Sequence, residues 1–210
     1  MTASSFEIRV CLSCNLRYPL TEGHSFGARC PHCLGETRVA LRKEIGNDES
    51  LKEVKSGKKK IKAVLLDNIR SGWNVGSIMR SADGFGFSHA YLCGITPTPE
   101  VGAVRKTSLG AEEYVTWSQH NDAVQLVNSL KLEGWKVGAL EEDLRATPIS
   151  KFPASKIPPR FILIVGNEVT GVDPELLDLA DVVLHIPMRG KKRSFNVANA
   201  FSIAAYALDG

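Results

Sequence analysis

Phe161-Ile162-Leu163-Ile164-Val165 runs directly into Gly166-Asn167-Glu168-Val169-Thr170-Gly171. The apolar run reads as a buried strand, and the polar segment after it as a loop bracketed by glycines. Glycines let a backbone approach a ligand closely and adopt positive φ, so a cofactor beside this loop is the expectation. The loop lacks the Gly-Lys-Ser/Thr ending of a nucleotide triphosphate loop and the GxGxxG spacing of dinucleotide folds. Its place late in the chain also argues against the usual doubly wound fold, whose glycine loop follows the first strand.

Working outward, short apolar or β-branched runs alternate with helical periodicity from Ile61 onward, the pattern of an α/β domain with a mostly parallel sheet. Strands are predicted at residues 61–67, 90–93, 113–117, 136–140, 161–165 and 182–186. Helices are predicted over residues 75–85 and 122–132, briefly after Asp173 and Pro174, and over 196–208. In the last of these, Val197, Ala200, Phe201, Ala204, Ala205 and Leu208 follow the spacing that buries one face.

Two further stretches carry polar residues where a strand hands over to a helix. In the first, residues 68–86, Asn74 stands where an N-cap would, and Arg80 is the polar exception in an apolar, small-residue helix. That arginine suits either bidentate phosphate binding or an ordinary surface position. In the second, residues 186–200, Arg189, Lys191, Lys192 and Arg193 precede Ser194 and Asn196 at a helix start. Cations beside a helix N-terminus favour a phosphate, although Ser and Asn also serve as plain caps.

The N-terminal segment differs in kind. Cys11 and Cys14 form one CxxC pair, and Cys30 and Cys33 another, at the spacing of a structural zinc ribbon. Gly23, Gly27 and Gly35 permit tight turns, while His24 and His32 read as surface residues. A closed four-thiolate site has no open position for substrate, so this module binds rather than reacts. Arg9, Arg17, Arg29, Arg38, Arg42 and Lys43 surround it and suit a phosphate backbone, or simply a solvated surface. Cys93, the fifth cysteine, reads as a buried small hydrophobe. The predicted organisation is a zinc ribbon over 1–42, a charged linker over 43–60 ending in Lys58-Lys59-Lys60, and the main domain over 61–210.

Bulk properties set only outer limits. At 210 residues the chain buries one substantial core with room for a satellite. A formal charge of +3 suits nucleic acid without requiring it. No apolar run approaches the roughly 18 residues of a membrane span, and no secretory signal opens the chain, so the expectation is a cytoplasmic protein without membrane contact.

Taken in order, the three stretches resemble the motifs of the SpoU (TrmH-type) branch of the SPOUT RNA methyltransferases. Asn74, Gly76 and Arg80 match the first motif, Gly166, Glu168 and Gly171 the second, and Ser194, Asn196 and Val197 the third. The resemblance implies a SPOUT fold with a C-terminal trefoil knot, a homodimer, and ribose 2′-O-methylation of tRNA or rRNA. It also implies S-adenosylmethionine contacted by Leu140, Glu141, Val165, Gly166, Asn167, Glu168, Gly171, Ile186, Met188, Phe195, Asn196 and Val197. Arg80 would act near the ribose hydroxyl and a phosphate, with Ser194, Asn196, Asn74 and Glu168 positioning it and the substrate. A noncatalytic RNA-binding protein on the same fold is the rival reading, and methylation of a base nitrogen is another. Phe195 and Ala198 depart from the pattern without removing a proposed catalytic group.

Overall fold

The computed structural model describes residues 5–21, 28–44 and 60–209. The linker residues 45–59, with Lys58 and Lys59, and Gly23, His24 and Gly27 lie outside the described residues. The chain divides into two compact units, 1–56 and 57–210.

The first unit is a three-stranded antiparallel sheet in the order β2-β1-β3, built from β1 (Ser5–Cys11), β2 (Arg17–Thr21) and β3 (Thr37–Glu44). The third strand continues two residues past the expected module boundary at Arg42, because Lys43 and Glu44 keep their pairing with Phe6 and Ser5. None of these strands was predicted, although Phe6, Ile8 and Val10 of β1 do alternate with Glu7 and Arg9. Most of β3 is exposed, so it carries no buried stripe for a pattern to reveal.

The second unit holds β4 (Ile61–Asp67), β5 (Phe87–Cys93), β6 (Thr116–His120), β7 (Lys136–Leu140), β8 (Thr147–Pro148), β9 (Arg160–Val165) and β10 (Val182–His185). They pair in the order β6-β5-β4-β9-β7-β10-β8, with every neighbouring pair parallel. The helices are α1 (Gly72–Gly84), α2 (Gly102–Ser108), α3 (Ala123–Leu132), α4 (Pro174–Leu179) and α5 (Val197–Ala207).

Alternate residues of the central strands feed two cores, as strand geometry dictates. Val64, Leu66, Leu163 and Val165 pack in one with Ile78, Met79, Phe201 and Ala204 of α1 and α5. Ala63, Leu65, Ile162 and Ile164 pack in the other with Val127, Leu130 and Leu176 of α3 and α4. Full burial of a side chain such as Phe201 contributes about 1.5–3 kcal/mol. Cys93 is fully buried, and burial pushes its thiol up to about 12, as suits an inert core residue.

Three local expectations are corrected. Strand β6 lies at 116–120 rather than 113–117, because Gly110 at φ 92° starts a 3₁₀ turn over Ala111–Glu113. Helix α2, unforeseen, begins at Gly102 and ends in Thr107 and Ser108, residues that weaken a helical signal. The cap of α1 is Ser71, whose side chain accepts the Asn74 backbone N–H at 3.4 Å; Asn74 lies inside the first turn.

The sheet order places the functional region. From β4 the chain moves outward through β5 and β6, then returns to the opposite side of β4 through β7 and β9. Strands β4 and β9 are therefore neighbours whose following loops meet, and the ends of β7 and β10 lie beside them on the carboxyl edge where α/β sheets bind ligands.

Candidate active site and metal centre

At the carboxyl end of β9, the loop closes on itself. Asn167 and Gly171 exchange backbone hydrogen bonds of 3.0 and 2.9 Å, and the Asn167 side-chain oxygen accepts from Val169 and Thr170. Gly166 is required because a Cβ there would collide with the backbone of Gly171 and Val172. Gly171 has φ 74°, and a Cβ on it would meet the Glu141 carboxylate. That carboxylate accepts the Val172 N–H at 2.9 Å, which ties the loop to the end of β7.

The same loop is latched to α1. Asn167 donates its amide to the Asn68 carbonyl at 2.6 Å, and Asn68 takes the left-handed conformation that asparagine tolerates, φ 54°. The Glu168 carboxylate accepts from the backbone of Arg70 and Ser71 and from the Asn74 side chain at 2.8 Å. Burial opposes its charge, yet these donors outweigh burial and hold the carboxyl below the usual carboxylate range. Asp67, nearly fully buried at the end of β4, accepts the Asp173 N–H at 2.9 Å; burial pushes its carboxyl up.

The third stretch meets the first two. Asn196 caps α5 by accepting from Ala198 and Asn199, and its amide nitrogen donates to the Asn74 side-chain oxygen at 3.0 Å. Asn74 is thus the middle of a chain from Glu168 to Asn196, which its position inside α1, rather than at the cap, leaves it free to make.

The end of β7, the loop after β9 and the segment from His185 to Ala200 surround a cavity of about 640 Å³, within the usual range for small-molecule sites. Leu140, Glu141, Val165, Gly166, Asn167, Glu168, Gly171, Ile186, Met188, Phe195, Asn196 and Val197 all line it, as does Ser194. Asn74 touches two lining residues without lining the cavity itself. Arg80 is not brought to it. That side chain is exposed on α1 and, among the described residues, makes no side-chain hydrogen bond or ion pair. Sequence reasoning missed Glu142, His185, Pro187 and Ala200 in the lining, and Ser71 and Asp67 in the scaffold. No pattern signals such residues, because they enter through backbone path rather than through a motif.

The first unit brings the sulfurs of Cys11, Cys14, Cys30 and Cys33 within 4.8 Å of one another. Cys11 to Cys33 is 3.5 Å and Cys14 to Cys30 is 3.6 Å, near the ~3.8 Å edge of a tetrahedron with ~2.3 Å Zn–S bonds. Two like knuckles build it. Asn15 at φ 61° and Leu34 at φ 60° donate their backbone N–H to Cys11 and Cys30 respectively, each closing one CxxC turn. The backbone N–H groups of Cys14 and Ser13 point at the Cys11 sulfur and that of His32 at the Cys30 sulfur, donors that suit the thiolate a metal needs. The donor set and its spacing fit zinc, and His32 is exposed.

Comparison with known proteins identifies the family of the second unit. The sequence pattern described as the SpoU rRNA Methylase family matches residues 62–206. The 23S rRNA (guanosine(2553)-2′-O)-methyltransferase RlmP of Bacillus subtilis is 34% identical over 151 residues, 71% of this chain and 58% of that protein. The tRNA (guanosine(18)-2′-O)-methyltransferase of Thermus thermophilus is 32% identical over 145 residues, 68% of this chain and 71% of that protein. A crystal structure of an AdoMet-bound rRNA methyltransferase from Sinorhizobium meliloti superposes with a TM-score of 0.66 at 25% identity, covering 71% of this chain and 56% of that one. The matched stretch thus spans little more than half of the Bacillus relative.

Proposed function

This chain belongs to the SpoU rRNA Methylase family, and from that premise we propose that it transfers a methyl group from S-adenosylmethionine to a ribose 2′-hydroxyl of tRNA or rRNA. The observation that carries the proposal is the cavity that the second and third motif stretches line, with the first stretch tied to both by the Glu168–Asn74–Asn196 chain. The bound cofactor would supply a methyl group already activated as a sulfonium, so the transfer needs no catalytic metal.

The residues of the chain would bind and orient. Backbone groups of 165–171 and 186–188 surround the cavity and offer donors and acceptors for an adenine edge. The Glu168 carboxylate has its lone pairs occupied by three N–H donors, which makes it a positioning residue rather than a free base. Exposed Ser194 and the Lys191-Lys192-Arg193 loop face the same opening and suit RNA phosphate. A guanidinium is a poor base, so Arg80 would hold phosphate and stabilise the developing alkoxide.

Arg80 does not line the cavity of its own chain, and a homodimer resolves this by presenting it to the cavity of a second copy. Trp73, Ile203 and Tyr206 lie exposed on α1 and α5, helices joined by a 2.7 Å Ser81–Ser202 hydrogen bond, and offer apolar area for that contact. The trefoil knot belongs to the same proposal: the segment from Ile186 to Asn196 would thread the 141–159 connection. Zn²⁺ in the four-cysteine centre would be structural. No helix among the described residues is long and apolar enough to cross a membrane, and cytoplasmic RNA is the proposed setting.

Calorimetric titration with S-adenosylmethionine tests the reading. Stoichiometric binding that is lost on blocking the cavity supports it; absence of binding would leave the fold without its proposed function.

A further inference from the structure

The register of the N-terminal sheet separates its charges by face. On one face Glu7 accepts from both Arg9 and Arg42, Arg9 also donates to Thr37, and Glu44 stands beside Ser5. The opposite face is built in three cross-strand rows. Lys43, Phe6 and Thr21 form the first, Leu41, Ile8 and Pro19 the second, and Arg38, Val10 and Arg17 the third. The bulge at Ile8/Arg9 preserves this segregation, since it returns Val39 to the first face and Arg38 to the second.

The second face is therefore an apolar strip with cations at both ends. Arg17, Arg38 and Lys43 are exposed and make no ion pair among the described residues, and no carboxylate stands on the strand positions of that face. Leu41 is 51% exposed, while Phe6, Ile8 and Val10 are partly so. From Phe6 to Val10 the strip runs about 13 Å at ~3.3 Å per residue.

We propose that this face binds an unpaired strand of RNA, its bases against Phe6, Ile8 and Leu41 and its phosphates against Lys43, Arg38 and Arg17. This rests on the RNA-modifying reading of the second unit. Charge complementarity selects a polyanion. The apolar centre selects exposed bases over a duplex, because a duplex presents phosphates and sugars that would leave Ile8 and Leu41 against charged backbone. The face thus supplies substrate affinity apart from the cavity, and the thiolate centre holds its strands in register without joining the contact.

The test uses the full zinc-loaded chain and a labelled single-stranded oligouridylate of about 12 nucleotides, long enough to overhang a strip of about 13 Å at both ends. Binding is measured from about 50 to 200 mM salt for the unaltered chain, for the triple variant Arg17→Gln/Arg38→Gln/Lys43→Gln, and for Leu41→Ser. Losing three phosphate contacts at a slope of ~0.7 each flattens the salt dependence by about 2, which makes the unaltered chain lose roughly 20-fold more affinity across that range than the variant. Leu41→Ser weakens binding without altering the slope, and Arg42→Gln on the opposite face changes neither. Equal slopes for the unaltered chain and the triple variant overturn the proposal and point to a protein partner. Preference for a hairpin duplex over the single strand overturns it as well. Zinc content confirms that each variant keeps its fold. S-adenosylmethionine titration of the same samples separates the two claims: intact cofactor affinity with unchanged slopes overturns this face alone, whereas the expected slopes without cofactor affinity support the face and overturn the catalytic reading.

Discussion

The Glu168 carboxylate accepts the Asn74 side-chain amide at 2.8 Å, joining the loop after β9 to the first turn of α1 across 94 residues of sequence. Two backbone N–H groups, from Arg70 and Ser71, share the same carboxylate. Replacing the charge by an amide, Glu168→Gln, leaves those donors competing for one neutral oxygen. Because the group is exposed to water, the stability cost is about 1 kcal/mol, read from urea denaturation. Turnover falls further, by about 100-fold, since a ~1 Å displacement of a positioning group costs that much.

The same carboxylate has a pH signature. Its folded pKa is depressed, so the stability it contributes is fully present above the ordinary carboxylate range and is lost as pH falls through the lowered value. Denaturation midpoints measured on descent through that acidic window should drop in the unaltered chain and drop less in Glu168→Gln.

Arg80→Ala should reduce turnover by about 100- to 1,000-fold, the scale of removing one electrostatic stabiliser, while cofactor affinity and melting temperature stay unchanged. Exposure of the side chain and its lack of partners among the described residues give it no structural part to lose. Mixing Arg80→Ala chains with inactive Asn196→Ala chains should restore activity if the arginine serves the cavity of a second copy. Mixtures as inactive as their components would contradict that arrangement.

Gly171→Ala strains a φ of 74° and drives its Cβ at the Glu141 carboxylate. The strain costs about 1–2 kcal/mol, and displacement of Glu141 releases the Val172 N–H that it holds. Calorimetry should show weakened S-adenosylmethionine binding. Gly102→Ala, outside the cavity and with nothing within 4 Å of its Cβ, is the control and should bind normally.

One zinc ion per chain is expected by elemental analysis, and strong chelation should unfold β1–β3 while sparing cofactor affinity. Loss of cofactor binding on chelation would contradict the independence of the two units.

Much of this was legible in the sequence because buried parallel strands declare themselves. The run from Phe161 to Val165, the Asp173-Pro174 cap and the apolar face of α5 appear where pattern places them. Paired CxxC spacing announced four sulfurs that the fold brings together. Strand β3 was hidden because it buries little, and α2 because glycine, threonine and serine mask its period, whereas the alternation of Phe6, Ile8 and Val10 in β1 was there to be read. At the cavity, motif residues were visible as exceptions to a pattern, whereas Ser71 was not, since a serine in a polar turn looks like any other. Its capping of α1 displaces Asn74 inward and so creates the bridge to Glu168 and Asn196.

The central claim is methyl transfer to ribose, and transfer of tritium from labelled S-adenosylmethionine to RNA tests it most directly. After complete nuclease digestion, the account predicts label in a dinucleotide that resists cleavage at a 2′-O-methylated position, with none in Arg80→Ala. Label recovered on a base, or cofactor binding with no transfer to tRNA or rRNA, would contradict it.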